Sequence, residues 1–312
     1  MPTQISRRQF LKQCGQSASV LAGTTLLSPI VRSISARETE PLDLIQIQGE
    51  VAPAVAKAFE VLGGIERFVQ PGDLVLLKPN VSFPNLPKWG GTTNPELVKA
   101  VAQAVLNAGA KRVIVTDHTM GDSAACFKRT GLEATFADLA EVKLLPIQNE
   151  NLFQEVAVTN GQALKTVKLA KLLERANVVI NLPCAKSHVA TEVSFGLKNL
   201  MGLIWDRKYF HDNTDLHVAI GELATVIRPH LTILDATRVL VTNGPTGPGK
   251  MQELGIILVG TDPLAVDALA VTLANWNNRS LPAQSIKHLN HAANLGVGEI
   301  DLDKLNIKKI SI

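Results

Sequence analysis

The chain has 312 residues, of which 46% are hydrophobic and 19% charged, an apolar content that a disordered polymer does not carry. Its formal net charge is +3, but residues 1–36 hold Arg7, Arg8, Lys12 and Arg32 with no Asp or Glu, and removing these four leaves −1 for the remainder. A body so close to neutral lacks the basic surface that displaces counterions from a phosphate backbone, which excludes nucleic acid as the partner.

Ser6-Arg7-Arg8-Gln9-Phe10-Leu11-Lys12 is followed by a modest apolar run, Ser17 to Val31, and by small residues ending at Ala36. Charge, apolar stretch and small-residue zone in that order make a secretory signal, and the arginine pair before Phe-Leu-Lys selects its twin-arginine form. An organellar transit peptide is the competing reading, being also rich in Arg and Ser and poor in acids. A permanent membrane anchor is disfavoured, because Gly23 and Pro29 break the run. The expectation is a signal over 1–36, cleaved after Ser35 or Ala36. It makes the twin-arginine translocation machinery a partner and exports the folded chain to the periplasm or an equivalent compartment.

Residues 37–312 are long enough for one sizeable core. Leu42 to Ile47 reads as a short strand and Ala52 to Leu62 as a helix stopped by Gly63-Gly64. Leu74-Val75-Leu76-Leu77 is the continuous apolar run of a central parallel strand, ending at Lys78-Pro79-Asn80. Asn94 and Pro95 open a helix to Asn107, and Arg112 to Thr116 is a strand closing on Asp117-His118. A helix over 124–139 with a break at Gly131 leads to a strand at 142–147, and 151–168 reads as a hairpin about Asn160-Gly161.

Lys171 to Arg175 is a short helix, Val178 to Ile180 a buried strand, and 188–203 and 215–227 are helical stretches. Strands follow at 231–234, ending at Asp235, and at 256–259. A helix capped by Asp262 covers 263–274, another lies near 284–294, and a last strand lies near 305–311. Strands alternating with helices at this spacing predict a single doubly wound α/β domain, its mostly parallel sheet covered by helices on both faces.

In such sheets ligands bind beyond the carboxyl ends of the strands. Lys78 and Asn80, Asp117 and His118, Lys186 and His188, Asp235, and Asp262 all follow apolar strands. Any one of them is as readily a solvated strand end, but the set favours a site. Pro183-Cys184-Ala185-Lys186-Ser187-His188 places a thiol, an ammonium and an imidazole at an expected helix start, where free N–H groups attract anions. At 100° per residue, Asn199 would share a helix face with His188. His211, Asp212, Asp215 and His217 are mixed N and O donors, yet match no zinc spacing and read better as a solvated loop.

Of Cys14, Cys126 and Cys184, two lie past the signal. They form either one disulfide or two buried thiols, and no C-x-x-C occurs to hold zinc or an iron–sulfur cluster. Gly244-Pro245-Thr246-Gly247-Pro248-Gly249-Lys250 fits a P-loop on paper. Met251 stands where Ser or Thr must bind magnesium, a strand follows instead of a helix, and two prolines remove cradling N–H groups. This segment is therefore expected to be a turn walling the pocket.

With these residues in view, the chain resembles the domain-of-unknown-function family 362 from about Val51 to its end. The resemblance rests on Leu77-Lys78-Pro79-Asn80, Thr93-Asn94-Pro95-Glu96, Asp117, Asn181-Leu182-Pro183 with Lys186-Ser187-His188, and Gly196-Leu197-Lys198-Asn199 with Gly202. Further matches are Leu234-Asp235, Asn243-Gly244-Pro245 with Gly249, and Asp262-Pro263-Leu264-Ala265-Val266-Asp267. It implies an α/β fold with a polar cleft and no settled reaction. Some members carry a ferredoxin-like module with cysteine-ligated iron–sulfur clusters, which this chain lacks.

The functional expectation is an exported enzyme acting on a small anionic substrate. Lys78, Lys186 and His188 are the candidate catalytic residues, and Asn80, Lys198, Asn199 and Asn243 bind substrate. Asp117, Asp235 and Asp267 either ligate a divalent metal or hold the lysines. The alternatives are a non-catalytic metal or anion carrier of the cell envelope and, by analogy with iron–sulfur relatives, a redox-associated protein.

Overall fold

A computed structural model describes residues 44–312; the expected signal and its cleavage zone lie outside the described residues. The strands are β1 (Leu44–Gln48), β2 (Leu74–Pro79), β3 (Arg112–Val115), β4 (Val142–Leu144), β5 (Phe153–Ala157) and β6 (Thr166–Ala170). They continue with β7 (Val178–Leu182), β8 (Cys184–His188), β9 (Glu192–Ser194), β10 (Leu231–Leu240), β11 (Met251–Gly260) and β12 (Ile307–Ser311). The main sheet runs β12-β1-β11-β10-β7-β2-β3-β4, with β8 and β9 branching from β10, while β5 and β6 form the expected separate hairpin. From β10 through β7 and β2 to β4 every pairing is parallel, and β11 runs antiparallel to both its neighbours.

Burial on both faces explains why the central strands read as apolar runs rather than alternations. Val75, Leu77, Val113, Val115, Val178 and Ile180 pack on one side with Ala54, Val55, Leu97, Val98 and Val101 of the helices Val51–Val61 and Pro95–Asn107. The helix Pro263–Val271, buried at every position, packs against β10 and β11, and the helices Leu216–Val226 and Lys287–Asn294 pack on each other. The chain is thus α/β, mostly parallel and doubly wound.

Local chemistry fixes several boundaries as read. Asn94 caps its helix by accepting from Glu96 N at 3.1 Å with Pro95 at the first position, and Asp262 accepts from Leu264 N at 2.8 Å and Ala265 N at 3.0 Å. Gly131 splits 123–135 into two helices because its φ of +84° is open to glycine and strained for other residues.

Two expectations are corrected. The segment expected to be helical from 188 onwards is the second half of a hairpin: β8 lies parallel to β10 and ends at His188, a turn covers 189–191, β9 folds back on β8, and helix begins only at Gly196. The edge of β10 pairs with Cys184 and Lys186, and β-branched Val193 then pairs back on Ser187, so the backbone of this segment is satisfied by sheet rather than by helix. β10 itself does not end at Asp235 but runs to Leu240 against a ten-residue β11. Asp235 therefore sits within a strand rather than at its exit.

Candidate functional site

Strand order reverses between β2 and β7, which are neighbours although β2 is followed in the chain by β3 on its other side. Such a switch point opens a crevice at the strand ends. Lys78 and Asn181 are register partners there. Asn199 comes from the short helix Gly196–Asn199, whose first amides are held by Asp267, with Gly196 N donating to Oδ1 at 2.7 Å and Leu197 N to Oδ2 at 2.8 Å. Its Oδ1 accepts from Lys78 Nζ (3.2 Å) and Asn80 Nδ2 (3.0 Å), and its Nδ2 donates to Lys78 O and to Asn181 Oδ1, both at 2.9 Å. A fully buried amide thus uses its whole donor and acceptor capacity to lock two strand ends together.

The network extends both ways. Lys78 Nζ lies 3.1 Å from Asp117 Oδ1 and donates to Pro79 O at 2.6 Å, while Asp117 Oδ2 accepts from Val81 N at 2.8 Å. Lys186 Nζ donates to Asn80 Oδ1 at 2.8 Å and to Gly91 O at 2.7 Å. Above this layer opens a cleft of about 390 Å³. Asn80, Lys186, His188, Lys198, Asn199 and Arg207 supply its polar wall, and Phe83, Met120, Val189 and Pro245 its apolar one.

Four cations, Lys78, Lys186, Lys198 and Arg207, crowd this region, and among the described residues their only ion pairs are with Asp117: Lys78 at 3.1 Å and Arg207 Nη1 at 4.0 Å. Lys186 is 2% exposed and Lys198 8%, and among the described residues neither has a carboxylate partner. Burial, reinforced by Arg207 and Lys186, pushes the Lys198 ammonium down to about 7. Burial also lowers Lys78, to about 8 despite Asp117, and lowers Lys186. His188 is pushed down to about 2 by burial and by Lys198, His211 and Lys186, so its ring is neutral. Its Nδ1 accepts from Ala190 N at 3.1 Å, which leaves the ring hydrogen on Nε2. Uncompensated buried cations cost several kcal/mol, and the wall of this cleft carries an excess of positive groups.

The sequence-expected residues fall into three groups. Asn80, Lys186, His188, Lys198 and Asn199 line the cleft, and Lys78 lies directly beneath, bonded to Asn199. Asn243 does not line it; it is exposed at a turn with φ +56°, and its Nδ2 donates to Pro248 O at 3.1 Å, although Pro245 of the same segment does wall the cleft. Asp117, Asp235 and Asp267 are not gathered as a metal-ligand set. Asp235 accepts from Asn94 N (2.7 Å) and from Thr237 N (3.0 Å) and Oγ1 (2.7 Å), Asp267 caps the 196–199 helix, and Asp117 holds Lys78 and Val81 N. Each carboxylate thus has backbone amides or the Lys78 ammonium to hold, and among the described residues no group of three His, Cys, Asp or Glu is placed to hold a metal.

The set His211, Asp212, Asp215 and His217 also divides. His211 and Asp212 line the cleft, Asp215 caps the helix Leu216–Val226, and His217 stacks on His288 at 5.9 Å. His118 stacks on Trp205 at 5.2 Å. Cys126 and Cys184 are free, buried thiols whose pKa is raised by burial. Sequence reasoning missed Arg207, which donates to Ser82 Oγ at 3.1 Å and to His118 O. Arg207 follows no strand, and its one signal was a charge soon after the apolar Leu200–Trp205 stretch.

A protein-family model described as domain of unknown function, DUF362, matches residues 75–272, which span every residue of the cleft. A thylakoid-associated protein of Synechocystis sp. is 30% identical over 263 residues, covering 82% of this chain and 78% of its own. The solved lactate racemase apoprotein of Thermoanaerobacterium thermosaccharolyticum aligns at a TM-score of 0.45 with 12% identity, over 70% of this chain. The present chain spans 54% of that structure's length. The family match and the cyanobacterial relative together establish that this chain belongs to the DUF362 family.

Proposed function

We propose that the protein is an enzyme acting on a small anionic substrate bound in the cleft between β2, β8 and the 196–199 helix. The observation that carries this reading is the pair Lys186 and Lys198, buried and, among the described residues, without a carboxylate partner. Buried charge that the fold leaves unpaired is tolerated where a ligand completes it. His188 favours catalysis over simple carriage, because a neutral ring with its hydrogen on Nε2 offers a hydrogen-bond donor on the cleft wall that can stabilise negative charge developing on a substrate oxygen. The Ser6-Arg7-Arg8 pattern and the apolar run behind it support a site of action outside the cytoplasm.

The test is a thermal-shift titration with carboxylates, phosphate and sulfate, followed by a turnover screen of anionic metabolites. Saturable stabilisation that Lys186→Met abolishes, together with conversion of one anion class, is the expected result. Saturable binding with no conversion in any class makes the protein a carrier. No stabilisation by any anion removes the reading.

A further inference from the structure

We propose that Lys198 is a covalent nucleophile whose amine condenses with the carbonyl of a small oxo acid, the acid's carboxylate being held by Lys186 and Arg207. This rests on the anion-cleft reading and names the substrate class within it.

The three buried lysines of the site are not equivalent. Lys78 Nζ faces three oxygens, those of Asp117, Pro79 and Asn199, and Lys186 Nζ donates to two, those of Asn80 and Gly91. Oxygen acceptors around an amine stabilise the ammonium, and an ammonium has no lone pair to attack with. Among the described residues Lys198 Nζ has no oxygen acceptor: its neighbours are Met201 Sδ at 3.7 Å and His211 Nε2 at 3.4 Å. It lines the cleft on a helix whose start is pinned by Asp267. A desolvated lysine beside other cations is the usual setting of an imine-forming amine. Its ordinary pKa is brought down to about 7 by burial and by Arg207 and Lys186, so a large share of the free amine is present at neutral pH.

The chemistry balances within the site. The Nζ lone pair forms a bond to the carbonyl carbon, and the carbonyl π pair passes to oxygen. A proton from the attacking amine goes to His211 Nε2, held neutral because burial and Lys198 push it down to about 4. His211 returns that proton to the alkoxide, giving a neutral carbinolamine, and the remaining N–H proton then passes by the same ring to the hydroxyl, which departs as water and leaves a neutral C=N bond. Arg207 and Lys186 would fix the carboxylate and so select an oxo acid over a neutral aldehyde.

The experiment incubates the full-length protein with 2-oxobutyrate and sodium borohydride, and maps the adduct by peptide mass spectrometry. In parallel, butyrate, which has no carbonyl, is titrated by thermal shift. The expected result is one stoichiometric adduct on the Lys198 peptide, with a mass gain of one 2-oxobutyric acid less one oxygen, blocked by excess butyrate and absent in Lys198→Arg. Butyrate stabilisation with no Lys198 adduct, or with label spread evenly over exposed lysines, overturns the nucleophile and leaves the anion cleft standing. No stabilisation and no adduct overturn both. The assignment is read from the wild-type peptide map, so a variant that fails to fold does not remove the test.

Discussion

Asn199 holds Lys78 at both ends of the residue, accepting from its ammonium at 3.2 Å and donating to its carbonyl at 2.9 Å. Because the same amide also binds Asn80 and Asn181, the side chain from the 196–199 helix acts as a bolt across the ends of β2 and β7. The cleft's cation layer depends on that bolt.

Asn199→Leu keeps the volume but strands the buried partners of four hydrogen bonds. Unpaired buried polar groups cost about 1–3 kcal/mol each, with partial relaxation, so a loss of about 3 kcal/mol in chemical denaturation is expected, with an unchanged m-value. A loss below about 1 kcal/mol would show that the network relaxes freely.

Gly202→Ala is expected to be destabilising although it adds only a methyl. A Cβ at Gly202 would meet Asp117 Oδ1 and, at 2.6 Å, Lys78 Nζ, so the buried ion pair must move. Overpacking typically costs about 1–3 kcal/mol; displacement of a buried pair puts this variant at the upper end, measured as a fall in the denaturation midpoint.

Acid should destabilise the protein through its buried histidines. His188 is held down to about 2 and His288 to about 3, each chiefly by burial, whereas unfolded histidine titrates near 6.5. Below 6.5 the unfolded chain therefore binds more protons than the folded one, and stability falls steadily as pH drops towards 3. Stability measured between pH 4 and 7 should have a shallower slope in His288→Leu than in the wild type. An unchanged slope would place the acid sensitivity elsewhere.

Anion affinity should rise as pH falls through about 7. Lys198 gains its proton there, with Arg207, Lys186 and His211 as the titratable groups bearing on it. The added charge strengthens the attraction to an anion, by about tenfold between pH 8 and pH 6 for a partly screened contact. Lys198→Met should bind more weakly and lose this dependence, as read by isothermal titration of butyrate at both pH values.

The architecture was legible in one dimension, because strands buried on both faces must be continuous apolar runs, and caps such as Asn94 and Asp262 declare helix starts through their own side chains. Lys78, Asn80 and Lys186 are legible as polar groups that follow apolar strands, whereas the helix face expected to join Asn199 to His188 does not form, because His188 ends β8 and Asn199 lies on a separate helix. What pairs with what was not visible. Cys184–His188 took its strand form from the waiting edge of β10, a partner over 30 residues away in the chain. Asp235 and Asp267 became holders of backbone amides rather than metal ligands, and Arg207 entered the cleft from a helix with no strand-end signal. A carboxylate's role is set by which donors surround it, and those donors, like the uncompensated charge on Lys186 and Lys198, exist only once distant segments have packed.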